Sequence, residues 1–191
     1  MSEATNFVLD PPPGAADDFD FLMGDWRVAN RRLKTRWSGK PQWETFDGLS
    51  HCEPRLGGVS NVDEIVFRER GFSGLTVRLF DTAALRWSIY WISSRDGLLQ
   101  PPVHGGFDGD VGEFYGEDLD DGRFVLVRFR WWKHGPNHGP RWEQAFSTDG
   151  RAWEVNWIMD FERQPPPALR SGEDADLVAG KVAQVGAIKG R

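Results

Sequence analysis

Residues 96–150 read DGLLQPPVHGGFDGDVGEFYGEDLDDGRFVLVRFRWWKHGPNHGPRWEQAFSTDG. Asp96-Gly97, Asp108-Gly109, Asp121-Gly122, the loop His134–Gly139 and Asp149-Gly150 punctuate this stretch roughly every 12–14 residues, with aromatic-rich runs between. Asp-Gly suits tight turns, because Gly accepts positive φ freely and Asp bonds back to the turn backbone. Short strands joined in unbroken succession make an antiparallel meander. A meander this long leaves two exposed edges or closes on itself.

Outward from that stretch, the same rhythm extends in both directions. Asp17–Met23 predicts a short N-terminal helical turn, with acidic residues near its start and Gly24 as its stop. Strands are predicted near 26–37, 42–54, 58–68, 73–80, 85–93, 102–108, 111–118, 123–132, 140–147 and 151–163. The expected fold is all-β: a closed antiparallel up-and-down barrel of about ten strands. Residues 1–16, with Pro11-Pro12-Pro13-Gly14, read as a flexible arm, 17–164 as the barrel and 165–191 as a polar tail with at most a weak helix near 174–185.

At 191 residues the chain suits a single domain. Ten Trp and thirteen Phe accompany only two Tyr. Each such ring buries roughly 150–250 Å², so the rings either fill a solid core or line a cavity. The net charge of −6 is spread without a basic stripe, which argues against nucleic acid as a partner. Cys52 is the single cysteine, so an intrachain disulfide and a multi-cysteine metal site are excluded. The start Met1-Ser2-Glu3-Ala4 lacks the basic and apolar runs of a signal peptide, and no stretch reaches the ~18 apolar residues of a membrane helix. The expectation is a cytoplasmic protein without membrane partners.

Alternation along the strands suggests facing. In the last hairpin Trp142, Gln144 and Phe146 share one face, and Trp153, Val155, Trp157, Met159 and Phe161 share another. If Phe146 lies opposite Trp153, Gln144 falls beside Val155 on the apolar side. A buried amide without a partner costs ~1–3 kcal/mol, so Gln144 hints at an interior that is not purely oily. In the first strand Trp26, Val28, Asn30, Arg32, Lys34 and Arg36 share a face, and neither face is cleanly apolar. In Phe124–Trp132 the better inner set is Val125, Val127, Phe129 and Trp131, which leaves Arg128 and Arg130 outside unless the strand is bulged.

The segments FDFLMGDWRVANRRL, near the start, and RWEQAFSTDGRAWEVNWIMDFER, near the end, resemble an uncharacterised bacterial family of lipocalin-like, calycin-type barrels. The Gly-x-Trp of Gly24-Asp25-Trp26 is part of that likeness, which spans residues 17–163. The resemblance implies a fold rather than an activity. It implies that Trp26 plugs one end of the barrel beneath a basic residue from a late strand, for which Arg163 is placed by order. Nitrobindin-like relatives of that class hold haem through a late histidine, and Trp142–Arg163 contains none, so no cofactor is expected.

Among the titratable residues, His134 and His138 have helical metal-pair spacing, but their Gly-Pro-Asn interior forbids a helix, and no metal is expected. Catalytic candidates are His104, whose ordinary pKa lies near neutrality, and the Glu113 and Tyr115 pair. Alternation sets Glu113 and Tyr115 opposite Phe114; facing in, they would share a cavity with Arg32 or Arg128, and facing out, they leave Phe114 to the core. Asp63-Glu64 is a further acidic candidate for the interior. Trp87, Ile89 and Trp91 form an aromatic line that either stacks a flat ligand or simply packs.

The function expected is binding of a small hydrophobic molecule, aromatic or carboxylate-bearing, inside the barrel. The candidate binding residues are Asn30, Arg32, Trp87, Trp91, Arg128, Trp142, Gln144 and Trp157. The alternative is a cofactor-independent isomerase, cyclase or hydrolase acting in the same cavity, and a third reading is an interaction protein that pairs as a homodimer.

Overall fold

The computed structural model describes residues 11–165. Ten strands follow one another: β1 (Gly24–Leu33), β2 (Trp43–Arg55), β3 (Ser60–Phe67), β4 (Phe72–Asp81), β5 (Arg86–Ser93), β6 (Val103–Asp108), β7 (Val111–Asp120), β8 (Arg123–Trp132), β9 (Arg141–Ser147) and β10 (Glu154–Arg163). Each pairs antiparallel with its neighbours in sequence, and β10 returns to β1, so the sheet closes as an up-and-down barrel, lipocalin-like in form. Closure removes the free edges that a ten-strand meander would otherwise expose.

The turn chemistry accounts for the local geometry. Asp120 pairs with Arg123, leaving Asp121 and Gly122 as a two-residue turn with φ of 52° and 78°. Two positive φ values in succession match the right-handed twist of the flanking strands, which is why Asp-Gly stands there. The β5–β6 seam is the shortest, with only Trp87↔Gly105, Ser88↔His104 and Ile89↔Val103 in register.

One end of the barrel is closed by the chain's own N-terminal segment. A single 3-10 turn, Asp20–Leu22, precedes β1. Before it, Phe19 enters the barrel and meets Trp87 and Phe107 edge-on, each with centroids 5.1 Å apart, with Phe114 and Trp131 beyond. Such edge-to-face pairs add about 0.5–1.5 kcal/mol each beyond their area. Residues 11–16 are tied down rather than loose: Gly14 N–H donates to Leu85 O at 2.7 Å and Trp87 Nε1 donates to Ala15 O at 2.9 Å. The remainder of the expected arm, and the tail beyond Pro165 with its weak helix, lie outside the described residues.

Two expectations about the strands change. The first strand stops at Leu33, not near Trp37, because residues 34–42 leave the wall. They cross the far end of the barrel, where Trp37 Nε1 and Arg36 Nε donate to Asp120 at 2.7 and 2.9 Å. The last hairpin is shifted as well: Phe146 faces Glu154, and Gln144 faces Trp157 across a bulge between Val155 and Trp157. That bulge buries Asn156 and leaves Trp153 outside the barrel, beneath Arg128.

The facing of β4 runs against simple hydrophobic patterning. Phe72, Gly74, Thr76 and Arg78 are buried, whereas Leu75 and Val77 are only half-buried and Leu79 is 38% exposed. On β3, likewise, Asn61 and Asp63 turn inward and Val66 turns out. A polar patch is therefore built into the interior wall at the expense of apolar residues.

Candidate ligand cavity

Above the Phe19 layer the barrel encloses a cavity of about 110 Å³. Its walls are mostly apolar: Ile65, Ile89, Val127, Phe129, Met159 and Phe161 join the indoles of Trp91, Trp131, Trp142 and Trp157. Trp157 meets Trp142 edge-on at 5.8 Å and Trp91 at 6.2 Å, so it links indoles from two other strands. Gly74 makes room for one of them, because a Cβ there would stand 1.7 Å from Trp91 Cη2.

One polar patch of the wall comes from β2, β3 and β4, with Gln100, Asp118 and Gln144 elsewhere in the lining. Ser50, Asp63, Thr76 and Arg78 all line the cavity, and the Arg78 and Asp63 side chains are buried. Arg78 Nη1 donates to Asn61 Oδ1 at 2.8 Å and stands 2.5 Å from Asp63 Oδ1. That approach to Asp63 is off the hydrogen-bonding direction, so Oδ1 has a cation beside it but no aligned donor. Asp63 Oδ2 accepts from Thr76 Oγ1 at 3.3 Å, and Arg78 Nε has no acceptor among the described residues. The guanidinium also lies 5.1 Å over the Phe19 ring and 5.6 Å over Trp131. Desolvating both charges is costly, and the pair is held only because each sits against the other and against fixed dipoles. Next to it, burial pushes the Cys52 thiol up to about 11, which leaves it protonated and a poor nucleophile.

Of the residues singled out by sequence, Trp91, Trp142, Gln144 and Trp157 line the cavity. Gln144 Nε2 donates to Asn156 Oδ1 at 2.8 Å, so its amide is partnered by the residue that the bulge turns in. Asn30 lies behind the wall: it accepts from Trp157 Nε1 at 3.0 Å and donates to Val28 O, which fixes the indole. Arg32 sits against Glu44 at 3.1 Å and over the Phe46 and Trp157 rings. Trp87 belongs to the Phe19 layer, not to the cavity.

The remaining candidates are on the outside. Arg128 lies 4.7 Å over Trp153 on the outer face, and burial together with Arg130 lowers its pKa. Glu113 and Tyr115 also face outward, as alternation with the fully buried Phe114 requires. Tyr115 Oη donates to Glu113 Oε2 and Arg130 Nε to Glu113 Oε1, both at 2.8 Å. Burial opposes ionisation of Glu113, but those donors outweigh it and hold the carboxyl below its usual range. Burial and the neighbouring Glu113 raise the Tyr115 pKa. His104 Nδ1 is 2.8 Å from Ser88 Oγ, and burial together with Arg86 lowers its pKa. The inward arrangement weighed for Glu113, Tyr115 and Arg128 is thus replaced by Asp63, Thr76 and Arg78. Sequence flagged only Asp63 among these; Arg78 was hidden because Leu75, Val77 and Leu79 make the more apolar face of its strand.

The strap of residues 34–42 borders the cavity at the end away from Phe19. Arg36 lies 5.6 Å over Phe146, a lining residue, and forms an ion pair with Asp120. Trp37 N–H is 3.0 Å from both carboxylate oxygens of Glu154. Trp37 has φ of 61°, a conformation that a bulky residue adopts only where its surroundings impose it. No family model matches this chain, and a search of curated proteins found no match.

Proposed function

We propose that the protein binds a small hydrophobic molecule, one ring in size, inside the barrel. The observation that carries this reading is the cavity of about 110 Å³ between the indoles of Trp91, Trp142 and Trp157. An apolar cavity of about 150 Å³ takes benzene, whereas drug-sized ligands need roughly 300–1,000 Å³. A single small ring is therefore the scale of guest that fits without rearrangement. Aromatic walls supply contact area at little entropic cost, since the indoles are already fixed by Asn30 and by one another.

The enzymatic alternative needs an acid or base facing the guest. His104, Glu113 and Tyr115 project from the other side of the wall, so the geometry favours binding over turnover at those residues. Native mass spectrometry of protein purified from its source tests the proposal. A retained small molecule, lost in a variant whose cavity is filled by Val127→Trp, is expected. Bare protein, with no thermal stabilisation by single-ring compounds, would overturn it.

A further inference from the structure

The polar patch inside the cavity has a composition that restricts what the guest carries. This inference rests on the binding reading above and narrows it. β4 turns Thr76 and Arg78 in and leaves Leu79 exposed, the opposite of what burial of apolar area favours. A local rule broken in this way, without a gain in packing, is expected where the residues serve a site. Among the described residues, two buried atoms of the patch lack an aligned hydrogen bond: Arg78 Nε, a donor, and Asp63 Oδ1, an acceptor whose nearest cation, Arg78 Nη1 at 2.5 Å, approaches off-axis. Leaving a buried donor such as Arg78 Nε unmatched costs about 1–3 kcal/mol, whereas Asp63 Oδ1 is compensated in charge but not in direction.

The charges are as informative as the gaps. The lining holds two carboxylates, Asp63 and Asp118, and one guanidinium, Arg78, which Asp63 already neutralises. An anionic guest would meet a wall on which carboxylates outnumber guanidinium groups, with Asp63 buried and Asp118 half-buried. A neutral group that donates to a carboxylate and accepts from a guanidinium meets no such penalty. We infer that the cavity selects a neutral ring bearing a hydrogen-bond donor and acceptor side by side, as in an azole or a cyclic amide, and rejects a carboxylate. Asp63 and Arg78 are its specificity-determining residues.

Isothermal titration calorimetry of the full chain at pH 7 with three ring-sized probes tests this. Pyrazole carries an N–H beside an acceptor nitrogen, thiophene is a ring of the same size without a donor, and cyclopropanecarboxylate is an anion of similar bulk. Pyrazole is expected to bind at least about tenfold more tightly than thiophene, and the carboxylate more weakly than either. Replacing the pair by apolar residues of similar volume, Asp63→Leu with Arg78→Met, is compatible with folding in other buried ion pairs. It should abolish the pyrazole advantage over thiophene. If thiophene and pyrazole bind equally, or the carboxylate binds best, the inference fails and the binding reading stands. Binding of none of the three overturns both. A double variant that folds and keeps the pyrazole preference overturns the inference alone; should it not fold, the three probes on the unaltered chain decide.

Discussion

Arg163 lies face-on over Trp26, with its Cζ 3.9 Å from the ring centroid. The two are direct partners across the β1–β10 seam that closes the barrel. The guanidinium also donates to Met23 O at 2.7 Å and Phe21 O at 3.1 Å, while Trp26 Nε1 donates to Leu22 O at 2.7 Å. One residue at the end of the last strand therefore binds the first strand to the turn that plugs the barrel. The carbonyls at the end of that short turn would otherwise be left to water.

Arg163→Ala should lower stability by about 1–2 kcal/mol, from the lost cation–π contact and the lost donors. Arg163→Lys should recover only part, since an ammonium cannot both stack and reach two carbonyls in one plane. Urea unfolding of the three proteins checks this; a lysine variant as stable as the parent would remove the case for the guanidinium plane.

Asp120 latches the strap, and the latch has a direction in pH. Burial opposes its ionisation, but donors from Arg36 and Trp37 outweigh burial and hold its pKa below the usual value. A depressed carboxyl contributes stability above the ordinary Asp value of about 4, and that stability is lost as pH falls through the folded value. The strap should thus stay closed at neutral pH. Asp120→Asn should raise amide exchange of residues 35–38 by about tenfold at pH 7 and flatten the acid limb of the stability curve. Exchange unchanged from the parent would mean that Asp120 does not hold the strap.

Gly74 controls the position of Trp91. Any Cβ at residue 74 overlaps the indole, so Gly74→Ala must push Trp91 into the cavity or out of the wall. The expected cost is about 1–3 kcal/mol, with loss of ring binding and a shift in tryptophan emission. Retained binding by this variant would show that Trp91 is not part of the wall the guest needs.

Cys52 gives a test at alkaline pH. Its thiol is raised from 9.0 to about 11 by burial, so the folded state holds the proton more tightly than the unfolded chain. Stability from this source is complete below pH 9 and is lost between there and pH 11. Cys52→Ala should lessen the alkaline decline, and the parent thiol should react with disulfide reagents only as fast as the barrel opens. Reaction at the rate of a free thiol would contradict the burial.

The barrel was legible because turn residues and alternating faces agree over most of the chain. The Asp121-Gly122 turn and the Val125, Val127, Phe129, Trp131 face leave little choice. What sequence could not supply was register at the bulge. One extra residue at Asn156 moves Gln144 from Val155 to Trp157 and expels Trp153. The polar site was hidden for a related reason. Where both faces of β4 carry apolar residues, alternation favours Leu75, Val77 and Leu79 for the core, and only the closed barrel reveals that Thr76 and Arg78 were turned in instead. The expectation of Arg163 over Trp26 came from the resemblance, with strand order selecting Arg163, and the geometry meets it.

The central claim is that the barrel holds an open, ring-sized hollow among its indoles. Xenon enters apolar cavities of this kind without needing a specific partner. Crystals of the protein pressurised with xenon should show a single strong peak between Trp91, Trp142, Trp157 and Met159, absent in Val127→Trp. Well-ordered density with no xenon there, and the four side chains closed upon one another, would contradict the account.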